Sequence, residues 1–166
     1  MFTQLVDLFK LRIGMMMSIT AVAGFAVTPG IELSVAEILL LALLTLTASA
    51  SAGAFNQYAE KDLDAQMKRT QNRPFVTGKL QHNSLWLFFI VAILAVSVAV
   101  AWIIFNPAVA VHLFLGAFFY GVVYTLWLKR RSAYNIVIGG AAGSFAVLAG
   151  AAAADPTLNS SSILLA

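Results

Sequence analysis

The sequence of 166 residues has no cysteine, few charged residues and only four prolines. Without cysteine the chain cannot form a disulfide framework, a thiolate metal site or a cysteine nucleophile. Charged residues make up 10% of the chain and hydrophobic residues 61%, whereas an ordinary soluble domain has roughly 25% charged residues. This composition therefore indicates a membrane protein, in which the excess of Lys and Arg reports topology rather than nucleic-acid binding.

Most of the chain consists of long apolar segments. A helix needs roughly 20 apolar residues to cross a hydrocarbon core about 30 Å thick. Five segments approach or reach this length, and they run from about 13 to 29, 34 to 55, 84 to 105, 108 to 128 and 134 to 154. The last residues, 161–166, have the composition of the start of a sixth such segment. We therefore predict an all-α, polytopic transmembrane helix bundle in which residues 1–166 form part of one domain that stops in or before helix 6.

The basic residues all fall on one side of these segments. They lie before the first segment, between the second and third, and between the fourth and fifth: Lys10, Arg12, Lys61, Lys68, Arg69, Arg73, Lys79, Lys129, Arg130 and Arg131. The positive-inside rule assigns this side to the cytoplasm. We predict an integral protein of the bacterial plasma membrane, surrounded by lipid, with the amino terminus and the loops 56–83 and 129–133 in the cytoplasm.

Three polar residues follow the second apolar segment at intervals of four. If that helix continues, Asn56, Glu60 and Asp64 drift by only about 80° around its axis and share one face. Asp62 points roughly away from Glu60 on the same wheel, which favours a solvated side chain. Oxygen ligands one helical turn apart suit Mg²⁺, which takes one or two protein carboxylates and completes its shell with water and substrate phosphates.

Cations surround this stretch in the sequence. Lys68, Arg69 and Arg73 follow it directly, and Lys129 and Arg130 return to the same side of the membrane. Carboxylates beside guanidinium groups make a site for a metal-bound polyanion such as a diphosphate. The alternative is a positively charged loop whose side chains are solvated and paired by ordinary helical spacing. The small residues that precede Asn56 favour the first interpretation, because they let this face turn inward.

The stretch 56–74 carries a family resemblance. The pattern Asn56-x-x-x-Glu60-x-x-x-Asp64, followed by Met67-x-Arg69-Thr70-x-x-Arg73-Pro74, resembles the first aspartate-rich motif of the UbiA-type intramembrane prenyltransferases. It is most similar to the branch of that family that farnesylates protoheme IX. Two further stretches are similar to that branch, namely Lys10-Leu-Arg12, with leucine in place of proline, and the region 124–143. The resemblance covers nearly the whole chain.

The resemblance implies about nine transmembrane helices around a central cavity, of which this chain would supply about five. It implies that Mg²⁺ is bound by Asn56, Glu60 and Asp64, which would also be the catalytic residues. It further implies a set of residues that bind diphosphate oxygens, namely Lys68, Arg69, Arg73, Tyr124, Lys129 and Arg130.

The reaction that the resemblance implies is transfer of a farnesyl group from farnesyl diphosphate to a vinyl group of heme b, which gives heme O and diphosphate. Heme A synthase is then a candidate partner. Two departures stand out: the chain has Ser144-Phe-Ala-Val147 where the family commonly has a proline pair, and the second aspartate-rich motif belongs to later helices. We therefore expect the 166 residues alone to be inactive. Prenylation of an aromatic acid or quinone precursor and a non-catalytic membrane assembly role remain alternatives.

Overall fold

A computed structural model describes residues 2–129, 131, 135–157, 163–164 and 166, and within them it contains helices and no strand. The helices are α1 (Phe2–Leu8), α2 (Leu11–Val27), α3 (Val35–Ala59), α4 (Lys61–Gln66), α5 (Ser84–Ile104), α6 (Pro107–Leu128) and α7 (Asn135–Ala154). Each of the five predicted apolar segments corresponds to one long helix. The predicted all-α bundle is therefore confirmed.

Three of these helices are long and apolar enough to cross a membrane, namely α3, α5 and α6. The helix α2 and the part of α7 from Gly139 to Ala154 are apolar but shorter. On α5, the side chains of Phe88, Val96 and Ile103 are each more than 60% exposed. Water would penalise so much exposed apolar surface, whereas lipid would not. The bundle is an integral membrane structure.

Short polar signals fix where the long helices begin. Ser34 caps α3 by a reciprocal pair of hydrogen bonds: its hydroxyl accepts from the Glu37 backbone N–H, and the Glu37 carboxylate accepts from the Ser34 N–H at 2.7 Å. Asn106 accepts from the Val109 N–H at 3.0 Å, with Pro107 as the first residue of α6. These contacts satisfy N–H groups that a helix start leaves free, so α5 turns tightly into α6.

Glycine lets α2 and α7 approach closely. A Cβ atom on Gly150 would lie 1.8 Å from the Ala21 carbonyl oxygen, and one on Gly24 would lie 2.4 Å from the Val147 carbonyl oxygen. The helix α7 runs without a break through Ser144–Val147, where the chain has no proline to interrupt it. Small residues thus hold α7 against α2, and other residues of both helices line the cavity described below.

We predict that Gly150→Ala destabilises the bundle by roughly 1–3 kcal/mol, because the added methyl group must push two helix backbones apart. Gly140→Ala is the matched control, since a Cβ atom at Gly140 meets no atom within 4 Å. Thermal unfolding of the purified protein in detergent should give a lower melting temperature for Gly150→Ala than for Gly140→Ala. Equal melting temperatures would show that the two helices are not in close contact.

Candidate active site

The three side chains predicted to bind metal are buried at the end of α3 and just beyond it. Asn56 is 2% exposed, and Glu60 and Asp64 are each 1% exposed. Asn56 and Glu60 are joined directly, because the Asn56 Nδ2 atom donates to Glu60 Oε2 at 2.6 Å. Asp62 is exposed, as its position on the helical wheel predicted. A buried carboxylate is costly unless opposite charges and hydrogen bonds compensate it.

The helix that carries these residues is interrupted, although its hydrogen-bond register is kept. The helix α3 ends at Ala59, and Glu60 has φ −104° and ψ 12° before α4 begins at Lys61. The backbone N–H of Glu60 still donates to the Asn56 carbonyl oxygen at 3.1 Å, and that of Asp64 to the Glu60 carbonyl oxygen at 2.8 Å. The helix therefore does not continue unbroken past Glu60, but the spacing of four residues between the three side chains is kept.

A chain of hydrogen bonds links Glu60 to two cations. The Lys129 ammonium donates to Glu60 Oε2 at 2.6 Å. On the other side, the Lys10 ammonium donates to the Asn56 amide oxygen at 2.7 Å and to the Tyr120 hydroxyl at 2.8 Å. Asn56 thus lies between Lys10 and Glu60, and its oxygen, the atom that would ligate a metal, already accepts a hydrogen bond.

Thr125 fixes which way the Asn56 amide points. The Thr125 hydroxyl donates to the Tyr120 carbonyl oxygen at 2.8 Å, so toward Asn56 it can only accept. It accepts from Asn56 Nδ2 at 3.1 Å. Because the amide nitrogen serves both Thr125 and Glu60, the amide oxygen is left for Lys10.

Asp64 is held by the loop that follows α4. The Arg73 guanidinium forms an ion pair with the Asp64 carboxylate at 2.5 Å. The Thr70 hydroxyl donates to the Asp64 carbonyl oxygen at 3.0 Å. The loop therefore folds back over Asp64, and it brings a predicted diphosphate-binding residue into contact with a predicted metal ligand.

The second half of α6 is a π-helix, which the sequence did not predict. It runs from Phe119 to Leu128, and the backbone N–H of Lys129 continues its pattern by donating to the Tyr124 carbonyl oxygen. Residues five apart are neighbours in a π-helix. Tyr120 and Thr125, five residues apart, therefore lie on one side of α6, where the Tyr120 hydroxyl accepts from Lys10 and the Thr125 hydroxyl accepts from Asn56. Lys129 follows four residues after Thr125 and reaches Glu60.

Cations outnumber carboxylates around the site. Lys10, Arg73 and Lys129 contribute three cations, while Glu60 and Asp64 contribute two carboxylates. The pKa of Lys10 is lowered to about 8, mainly by burial. The positive charges of Arg73 and Lys129 also lower this pKa, whereas the carboxylates of Glu60 and Asp64 raise it. Lys10 is therefore mainly protonated at pH 7, and the cluster carries a net positive charge.

Two cavities meet at Lys10. An apolar cavity of about 220 Å³ lies between α2, α3, α6 and α7, and its wall includes Ala52, Gly116 and Gly143. A basic pocket of about 350 Å³ is lined by three basic residues and one acidic residue, with four others: Lys10, Arg69, Arg73, Asp7, Ile13, Gln57, Asn72 and Pro74. Lys10 and Ile13 line both cavities.

The remaining predicted diphosphate residues are placed differently. Arg69 lines the basic pocket. The Tyr124 ring stacks on the Tyr120 ring at 5.5 Å, and the Lys129 ammonium lies 6.0 Å from the Tyr124 ring centre. Lys68 is exposed and lines neither cavity. Arg130 lies outside the described residues.

One oxygen of the site fits a cation. Glu60 Oε1 is buried and has no hydrogen-bond partner in the described part of the chain. Among these residues no group of three or more His, Cys, Asp or Glu side chains could hold a metal ion. The donor set of one or two carboxylates suits Mg²⁺, which completes its shell with water and substrate oxygens.

Sequence reasoning missed several residues of the site. Lys10 was used only as a topology signal and as part of a stretch similar to a family motif, and Tyr120 and Thr125 lie within an apolar segment. Gln57 is 3% exposed, and its Nε2 atom donates to the Asp7 carbonyl oxygen at 2.6 Å. The available signals were a single lysine just before an apolar helix and a threonine within one.

We predict that Lys129→Met destabilises the protein by roughly 2–3 kcal/mol, because Glu60 loses its ion-pair partner while it stays buried. Unfolding by sodium dodecyl sulfate in mixed micelles measures this loss. The control is Arg131→Met, which removes an exposed cation from the same loop. In the double variant Glu60→Gln/Lys129→Met much of the loss should be recovered. If Lys129→Met is as stable as Arg131→Met, the pair does not form.

Comparison with known proteins places this site in context. Residues 17–166 match the model of the UbiA prenyltransferase family. The chain is 52% identical over 98% of its length to protoheme IX farnesyltransferase 2 of Paramagnetospirillum magneticum, covering 56% of that protein. It is 44% identical over 94% of its length to protoheme IX farnesyltransferase 1 of the same organism, covering 54% of that protein.

A relative with lower sequence identity carries the same name. Protoheme IX farnesyltransferase of Bartonella henselae is 38% identical over 96% of this chain, which covers 51% of that relative. The chain thus spans about half the length of the curated relatives it matches. No solved structure gives a significant match. The family match over most of the sequence and the identity to several relatives show that this chain belongs to the UbiA prenyltransferase family.

Proposed function

We propose that the protein transfers a farnesyl group from farnesyl diphosphate to a vinyl group of protoheme IX, giving heme O and diphosphate. One observation carries this proposal: two buried carboxylates, each paired with a cation, lie beside Lys10, where an apolar cavity and a basic pocket meet. An isoprenoid diphosphate has this division into an apolar chain and a polyanionic head. The names of the relatives supply the acceptor, protoheme IX.

The cations would bind the diphosphate head. Arg69 and Arg73 line the basic pocket, and the planar fork of each guanidinium matches two phosphate oxygens. Arg73 and Lys129 neutralise Asp64 and Glu60 in the present structure. In a complex they would turn part of their hydrogen bonding toward phosphate oxygens, where negative charge grows as the bond to farnesyl breaks.

Glu60 and Asp64 would hold Mg²⁺, and the free Glu60 Oε1 atom supports this assignment. When bound, Mg²⁺ would neutralise charge on the departing diphosphate. The Asn56 amide donates to Glu60, and it would orient that carboxylate or join the shell itself. Tyr124 would line the head-group side of the site through its stack on Tyr120.

The apolar cavity would shield the farnesyl group from water. Its wall consists mainly of alanine, glycine and larger apolar side chains, with His112 among its few polar members. Removing water protects a reactive allylic carbon from premature hydrolysis. Both substrates are lipid-soluble in part, so we propose that they arrive laterally from the bacterial plasma membrane. From the positive-inside rule we propose that the basic pocket faces the cytoplasm, and heme A synthase would be the partner that receives heme O.

The proposal is tested by expressing the complete gene product in a strain that lacks heme O synthase, with extracted hemes analysed by mass spectrometry. We expect heme O from the wild type and about a hundredfold less or none from Asp64→Asn, because the variant loses a carboxylate that holds the metal. The matched control is Asp62→Asn, two residues away and exposed, which should keep its activity.

The other outcomes of this experiment distinguish the proposed function from the two alternatives. A wild type that is well folded but makes no heme O would contradict the heme assignment. Farnesylation of 4-hydroxybenzoate or of a quinone precursor by the same preparation would then favour the related prenyl transfer. Failure of every acceptor, together with no affinity for a prenyl diphosphate, would favour a non-catalytic assembly protein.

A further inference from the structure

Lys10 has an unusual backbone. It lies between α1 and α2 with φ 48° and ψ 44°, and it is the one residue other than glycine with positive φ in the described part of the chain. The left-handed region costs a residue with a side chain roughly 1 kcal/mol. Such strain persists only where the surrounding structure imposes it, and it is concentrated at functional sites.

The ammonium group of Lys10 has neutral partners. It donates to the Asn56 amide oxygen and the Tyr120 hydroxyl, and it lies 5.3 Å from the centre of the Tyr120 ring. The ion pairs found among the described residues join Arg73 to Asp64 and Lys129 to Glu60, so neither carboxylate forms an ion pair with Lys10. A half-buried ammonium without an anion is costly, and a bound anion would remove that cost.

The position of Lys10 suits a ligand with two different ends. The residue lines the apolar cavity together with Gly53 and Tyr120, and it lines the basic pocket together with Arg69 and Arg73. Gly53 makes room for the lysine stem, since a Cβ atom there would lie 3.3 Å from Lys10 Cβ. An anionic head in the pocket and an apolar chain in the cavity would therefore meet beside this ammonium.

We propose that Lys10 is a substrate-binding residue that holds the diphosphate of a prenyl diphosphate at the junction of the two cavities. This inference rests on the proposed function and adds a residue and a location to it. The ammonium donates to a diphosphate oxygen near the ester bond to the prenyl chain. That contact places the first carbon of the chain at the mouth of the apolar cavity, while Arg69 and Arg73 bind the rest of the head.

The test uses the complete protein in detergent with Mg²⁺, and it measures the KM for farnesyl diphosphate, the KM for heme and the Kd of inorganic diphosphate. Lys10→Met keeps the length of the stem and removes the charge. Lys10→Gly removes the charge and relieves the backbone strain, so it stays informative if the methionine variant folds poorly. Lys10→Arg restores a cation, and Lys79→Met removes an exposed cation that lines neither cavity.

We expect Lys10→Met and Lys10→Gly to raise the KM for farnesyl diphosphate and the Kd of inorganic diphosphate by about tenfold to a hundredfold, the loss of one charge-assisted hydrogen bond. The KM for heme should stay unchanged, Lys10→Arg should recover much of the affinity, and Lys79→Met should match the wild type. A folded Lys10→Met or Lys10→Gly variant with wild-type diphosphate affinity would overturn the inference. Absence of prenyl transfer by the wild type would instead contradict the proposed function, and diphosphate binding would still decide the role of Lys10.

Discussion

The need to neutralise two buried carboxylates organises one end of this bundle. Glu60 and Asp64 lie at the end of a membrane helix, where water cannot solvate them. Their partners come from distant parts of the chain, Lys129 from the end of α6 and Arg73 from the loop after α4. Removing a partner would leave an uncompensated charge in an apolar setting. The ion pairs therefore fix where these elements meet.

The same ion pairs would suit the site to the ligand that we propose. The cations that neutralise the carboxylates without substrate are those that a diphosphate would attract, and the unpaired Glu60 Oε1 atom is available to a metal ion. A buried cluster of this kind would be an expensive way to stabilise a protein, since apolar packing would serve as well. The energetic cost is explained if, as we propose, the site exchanges these internal ion pairs for a metal ion and a polyanion.

The sequence predicted the helices and the shared face of Asn56, Glu60 and Asp64, because apolar length and a spacing of four residues are local signals. It could not predict the break at Glu60 or the π-helix of α6, since both depend on contacts made across the bundle. Lys10 and Thr125 were missed for the same reason. A lone lysine or threonine gains its meaning from the Asn56 amide that it contacts, and that contact joins residues 46 and 69 positions apart.

We propose that the paired carboxylates form a site for a metal-bound prenyl diphosphate. The experiment that decides this is calorimetric titration of the complete protein with farnesyl thiodiphosphate, a slowly reacting analogue, in the presence of Mg²⁺ and again in the presence of a chelator. We predict that chelation weakens binding at least about tenfold, because without the metal ion Arg73 and Lys129 must neutralise the diphosphate as well as the two carboxylates. Equal affinity with and without Mg²⁺ would contradict this account.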